Sequence, residues 1–134
     1  MSEIPNDRVY TEEHEWVQAD PQDGTLLAVG ITDYAQEALG DIVMVELPEV
    51  GDAMDHHQVL GALESPKSVS DVFCPVAGEI AAINEDLEDA PETVNDDPYG
   101  DGWLVKVRVA DASVTAGLMS ADAYGTFLKS QEDD

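Results

Sequence analysis

Lys67 stands in the middle of LESPKSVSD, Leu63 to Asp71, and only Lys106 and Lys129 share its side-chain type. Pro66 supplies the fixed φ of a first turn position and Lys67 then takes the second, which projects an amine from the tip of a hairpin. A surface shaped for acids would more readily place Ser, Asp or Glu there. A solvated turn lysine and a functional amine both remain open on these residues alone.

Other residue types that could do chemistry carry less at their spacings. His14 and the His56-His57 pair could ligate a metal, yet no Cys or HxxxH spacing accompanies them, so structural or solvated histidines are the reading. The stretch NEDLEDAPETVNDD offers carboxylates, but Asn95, Asp97 and Gly100 match the EF-hand loop only in part, and it reads as a solvated loop. Cys74, beside Pro75, has no base at a readable spacing and reads as a small buried apolar residue. Phosphate-loop, dinucleotide and nucleophile-elbow motifs do not occur.

Thirty Asp and Glu against five Lys and Arg give a formal net charge of -25. Such a field repels nucleic acid phosphates and anionic membranes, so neither is an expected partner. It also costs self-repulsion that cations would screen, which suggests a host with a salt-rich cytoplasm; an acidic carrier meeting basic partner surfaces is the alternative. At 43% hydrophobic residues the chain has enough apolar content to fold, as one domain over residues 1–134 with residues 130–134 as a frayed acidic tail. A single cysteine excludes an internal disulfide, the start MSEIPND lacks signal-peptide regions, and no apolar run is long enough to span a membrane. Cytoplasmic residence is the expectation.

The elements that must position these residues are mostly strands. Val9–Gln18 reads as one strand, DPQDG (Asp20 to Gly24) as a turn and Thr25–Ile31 as the hairpin partner. TDYAQEALG reads as a two-turn helix capped by Thr32 or Asp33 and ended by Gly40. Asp41–Pro48 reads as a strand buried on both faces, from its near-continuous apolar run. QVLGALES and SVSDVFCP read as the strands flanking Lys67, and AGEIAAIN as the next. Asn84–Gly102 reads as a loop with one helical turn, Trp103–Val109 as an alternating strand and SADAYGTFLKSQ as a short amphipathic helix.

The segment GALESPKSVSDVFCPVAGEIAAIN resembles the lipoyl-attachment segment of the glycine cleavage system H protein family. HEWV (His14 to Val17), GITDYAQEALGDIVMVELPEVG (Gly30 to Gly51) and VNDDPYGDGWLVKV (Val94 to Val107) resemble that family's other blocks in the same order. The resemblance implies a mainly β, lipoyl-domain-like barrel-sandwich hybrid of two antiparallel sheets with short flanking helices. It implies lipoic acid joined to Lys67 by an amide bond, in a carrier that is not itself an enzyme. It further implies a shuttle: glycine decarboxylase loads an aminomethyl group by reductive attack on the disulfide, aminomethyltransferase passes the carbon on, and dihydrolipoamide dehydrogenase reoxidises the dithiol. A lipoate-attaching enzyme would be a fourth partner.

By position the resemblance assigns shelter of the cationic aminomethyl arm to Glu13, Glu15 and Asp71. Glu13 departs from the small hydroxyl residue common there, Ala38 from a histidine that some members have, and Pro66 from an apolar residue on the surface that the attaching enzyme reads. A biotin carrier would set its lysine between methionines, and a lipoyl domain of a 2-oxoacid dehydrogenase acyltransferase would show Asp-Lys-Ala; Ser-Pro-Lys-Ser matches neither. An H-like lipoyl relay, a lipoyl carrier in sulfur oxidation and an unmodified binding module are the remaining alternatives.

Overall fold

The structure, a computed structural model, describes residues 4–111 and 115–132. Among these residues two antiparallel sheets account for all the named strands, as expected for this fold class. The larger sheet runs in the order β1 (Val9–Tyr10), β2 (Glu15–Asp20), β3 (Asp23–Ile31), β9 (Val105–Arg108), β8 (Gly78–Ile83) and β5 (Ala53–Met54). The smaller runs β4 (Met44–Glu46), β6 (Val59–Glu64) and β7 (Val69–Phe73). The flanking helices are α1 (Asp33–Leu39), α2 (Asp86–Asp89), α3 (Thr93–Asp96) and α4 (Ala121–Glu132).

Alternation along the strands decides which face is buried. Val17, Leu27, Val29, Ile80, Val105 and Val107 from the larger sheet meet Leu60, Leu63 and Val72 from the smaller in one core cluster. Each fully buried aliphatic side chain of this kind contributes roughly 1.5–3 kcal/mol of transfer free energy. A second cluster joins Tyr10, Trp16, Tyr124 and Leu128, with the Tyr10 and Tyr124 rings stacked 4.8 Å apart, and it seats α4 on β1.

Several local expectations are met. Thr32 caps α1 by accepting the Ala35 N–H at 3.2 Å, and Gly40 follows at φ 81, where a side chain would be strained. Ser120 accepts the Ala123 N–H at 3.2 Å at the start of α4, which continues through Glu132. Of the expected tail, residues 133–134 lie outside the described residues.

Three expectations are corrected. Val9–Gln18 is two strands, β1 and β2, paired antiparallel with Tyr10 opposite Trp16. The chain reverses between them: His14 N–H donates to the Thr11 carbonyl at 3.1 Å, and His14 adopts φ 68. Asp41–Pro48 is only the three-residue edge strand β4, and Val43 and Met44 are 55% and 52% exposed where burial on both faces was expected. Within β4 it is Val45 that packs against the core, while Met44 and Glu46, alternating with it, face solvent. The polar stretch Asn84–Gly102 forms two helical turns, α2 and α3, because Leu87 and Val94 are buried in the main core and draw the backbone down onto it. In addition, β5 forms at Ala53–Met54, between the two segments read as strands.

Gly61 explains why β4 can lie so near β6. A Cβ there would meet the Glu46 carbonyl oxygen at 2.2 Å, and that oxygen belongs to the backbone of the neighbouring strand, so only glycine fits without parting the pair.

Candidate functional site

β6 and β7 pair from Val59↔Phe73 to Glu64↔Val69, which leaves Ser65 to Ser68 to reverse the chain. Ser65 N–H donates to the Ser68 carbonyl at 2.9 Å, and Ser68 N–H donates to Ser65 Oγ at 3.3 Å. The two serines therefore close the turn and hand its two central positions to Pro66 and Lys67, as the turn chemistry predicts. Ser65 is buried while Pro66, Lys67 and Ser68 are exposed. Among the described residues no ion pair engages the Lys67 ammonium. A cavity of about 280 Å³ lies beside it, lined by Leu39, Gly40, Asp41, Ser65, Pro66 and Lys67. The amine is thus presented at a rigid tip next to the C-terminal end of α1.

Glu15 opens β2 and is 2% exposed. Its Oε1 accepts the Thr11 hydroxyl at 2.9 Å and its Oε2 accepts the Phe73 N–H at 3.0 Å, so one carboxyl ties the β1–β2 turn to the far end of β7. Burial pushes its pKa up to about 7, while the Phe73 N–H and the Thr11 hydroxyl, which favour the charged form, oppose that rise. Glu13 raises it a little further by repulsion and His57 lowers it.

Asp71 lies on β7 in register with Ala62, two residues from the Phe73 whose N–H Glu15 holds, and it is exposed. It follows Lys67 by four residues, with the end of the turn between them. Glu13 sits in the turn before β2, with its Oε1 3.0 Å from His57 Nε2. Glu13 and Glu15 are electrostatically coupled; Asp71 shares a strand with Phe73 but has no described contact with either acid. Ala38 is exposed on α1 and offers no polar group.

The histidines separate. His14 Nδ1 lies 2.8 Å from the Tyr124 hydroxyl, which also contacts Thr32 Oγ1 at 2.8 Å. Burial holds the His14 imidazole below its ordinary pKa. His57 stands with Glu13, and its ring stacks on Phe73 at 4.9 Å and 10°. Among the described residues no group of three or more His, Cys, Asp or Glu is arranged to hold a metal ion. The carboxyl of Asp97 accepts the Asp101 N–H, and Asn95 bonds Ile42, Gln36 and Gly40, so these polar groups brace the loop against α1. Cys74 is fully buried and its thiol donates to the Val76 carbonyl at 3.1 Å; burial raises its pKa, which makes it inert as a nucleophile.

Sequence reasoning reads His57 as a structural or solvated histidine and misses its contact with Glu13. The only local signal is that the chain spends two histidines where it turns toward β6, and nothing in their spacing points to Glu13 or Phe73.

The profile of the glycine cleavage H-protein family matches residues 8–131. The chain belongs to that family. It is 52% identical over 133 residues to a glycine cleavage system H protein of Chromohalobacter salexigens, covering 99% of this chain and all of that one. It is 55% identical over 122 residues to a probable glycine cleavage system H protein of Natronomonas pharaonis, covering 91% of this chain and 94% of that one. Its fold is similar to the crystal structure of a glycine cleavage system H protein from Mycobacterium marinum, with a TM-score of 0.85, 41% identity, and 94% and 99% of the two chains covered.

Proposed function

We propose that Lys67 bears a lipoyl group in amide linkage, and that the chain is a cofactor carrier with no catalytic residues of its own. The supporting observation is the position of Lys67, exposed at the second central residue of a closed two-residue tip in a member of this family. The tip fits such a group. Its amine is accessible and uncommitted, and the turn beneath it is locked by Ser65 and Ser68. When bound, the lipoyl group supplies a disulfide that takes up a one-carbon aminomethyl unit with two electrons and becomes a dithiol once that unit leaves.

The protein's own part is to present the amine-bearing unit and shelter it from water. Glu15, Glu13 and Asp71 are the carboxylates assigned to its ammonium, through charge-assisted hydrogen bonds. Glycine decarboxylase, aminomethyltransferase, dihydrolipoamide dehydrogenase and a lipoate-attaching enzyme are the partners in this reading. A net charge of -25 favours partners with basic rims and association rates that fall as salt rises, and it disfavours nucleic acid and anionic membranes. Among the described residues no helix is long and apolar enough to cross a membrane.

Intact-mass analysis of the chain purified from its native host should show a lipoyl adduct that peptide mapping localises to Lys67. A native chain that is entirely unmodified would overturn the proposal. A salt-rich cytoplasm is part of the same reading, since added cations would screen the acid surface. The melting temperature should climb as KCl is raised toward molar concentrations, and a flat response would remove the halophilic assignment.

A further inference from the structure

His57 adopts φ 73, a left-handed backbone conformation that glycine takes freely and a histidine takes at a cost of roughly 1 kcal/mol or more. Its backbone is fixed there on both sides. The His57 N–H donates to the Cys74 carbonyl at 2.7 Å, and the Cys74 N–H donates to the Gln58 carbonyl at 2.7 Å. The imidazole then lies flat on the Phe73 ring and turns Nε2 to Glu13 Oε1 at 3.0 Å. The next link of this chain is the Phe73 N–H, which Glu15 accepts. Glu13 and Glu15 are therefore joined through His57 and Phe73, and Glu15 feels the charge of both Glu13 and His57.

Space adjoins the pair. Glu13 and His57 share the wall of a cavity of about 280 Å³ with Tyr10, Thr11, His56 and Met119, and Thr11 is the residue that hydrogen-bonds Glu15. Exposed ion pairs contribute little to stability, typically less than about 1 kcal/mol, so the pair does not repay the strain as a brace alone. Its effect is on orientation. An unheld glutamate in a turn samples many rotamers, whereas this one is kept with its carboxylate at the cavity wall near Glu15.

We propose that His57 is a positioning residue, which holds Glu13 at this wall so that Glu13 and Glu15 together receive the primary ammonium of the carried aminomethyl group. The inference rests on the reading of Lys67 as the lipoyl attachment point. Held there, the unit is kept from the reaction that would waste it, in which water cleaves the carbon–sulfur bond, the thiol is released, and formaldehyde and an ammonium ion depart.

The test uses the full-length lipoylated protein, loaded with glycine by the cognate decarboxylase and then separated from it. Formaldehyde and ammonia release is followed by time. His57→Phe keeps a ring on Phe73 but cannot bond Glu13, and it should release about tenfold faster than the parent at an unchanged melting temperature. Glu13→Ala, which leaves no acceptor for His57, should accelerate release at least as much, and the double variant should be no faster than Glu13→Ala alone, because His57 acts only through Glu13. His57→Gln, which can still donate to Glu13, should recover most of the parental lifetime. A parental release rate in His57→Phe, or additive effects in the double variant, overturns the inference while leaving the carrier reading intact. A parent chain that takes up no aminomethyl group overturns both.

Discussion

Lys67→Arg should yield a chain as stable as the parent whose glycine–bicarbonate exchange, measured with the cognate decarboxylase, falls to the level of a reaction without carrier. The substitution keeps the positive charge at an exposed turn position, where changes usually alter stability by no more than about 0.5 kcal/mol. What it removes is the acyl acceptor. A guanidinium stays protonated throughout the accessible pH range and cannot offer the neutral amine that amide formation needs. No other lysine is placed to substitute. Lys106 lies within β9 with its ammonium 5.2 Å from the Trp103 ring, and Lys129 is on α4. Exchange retained at the parental rate would mean that the arm is attached elsewhere or is not used.

Glu15→Gln should stabilise the folded chain by about 3 kcal/mol at pH 8 relative to the parent, with most of the gain gone near pH 4.5. The sign follows from the direction of the shift. Burial raises the folded-state pKa of Glu15 from the ordinary 4.5 to about 7, so between these values the folded chain holds a proton that the unfolded chain has released. Stability contributed by this group is complete below about pH 4.5 and is lost as pH rises through 7. A span of about 2.5 pH units at 1.36 kcal/mol each sets the magnitude. Gln can keep its one oxygen on the Phe73 N–H and turn its amide NH2 to the Thr11 hydroxyl oxygen, and it carries no charge to desolvate. Urea denaturation of both chains at several pH values isolates the effect, because the background titration of the other acids cancels in the difference. A difference between the two chains that is flat from pH 4.5 to 8 would show that Glu15 titrates normally.

The cost of an ionised Glu15 has a functional counterpart. A cationic amine placed against the carboxyl would favour its charged form and offset the desolvation, so the parent should recover stability on loading and the Gln variant should not. In the proposed reading, the charge that destabilises the empty chain as pH rises is the one that would hold the carried ammonium.

Much of the fold was legible because its rules are local. The Thr32 cap, the Gly40 stop, the Ser-Pro-Lys-Ser turn and the alternation of Trp103 to Val109 each depend on neighbours within a few residues. Misreadings arose where a distant partner intervened. Val9–Gln18 has strand composition throughout, yet Tyr10 pairs with Trp16 and with the chain at Met119, which requires a reversal between them. Asp41–Pro48 has the apolar run of a strand buried on both faces, but β4 packs Val45 on the core and leaves Val43 and Met44 in solvent. Leu87 and Val94 were hidden among acids, and only their seating in the core turned the loop into α2 and α3.

The sequence by itself determined the lysine and its presentation, since a proline-fixed turn between two strands needs no remote contact to project Lys67. It also supplied the excess of acids and, through four ordered blocks, the family. Tertiary structure decided what those acids do. Glu15 became a buried carboxyl with a raised pKa because Phe73, 58 residues away, brings a backbone N–H to it. Glu13 acquired a partner because the backbone at His57 turns left-handed and lays the ring on Phe73. Burial and pairing of this kind depend on which chain segments meet, and no periodicity or spacing within either segment records that meeting.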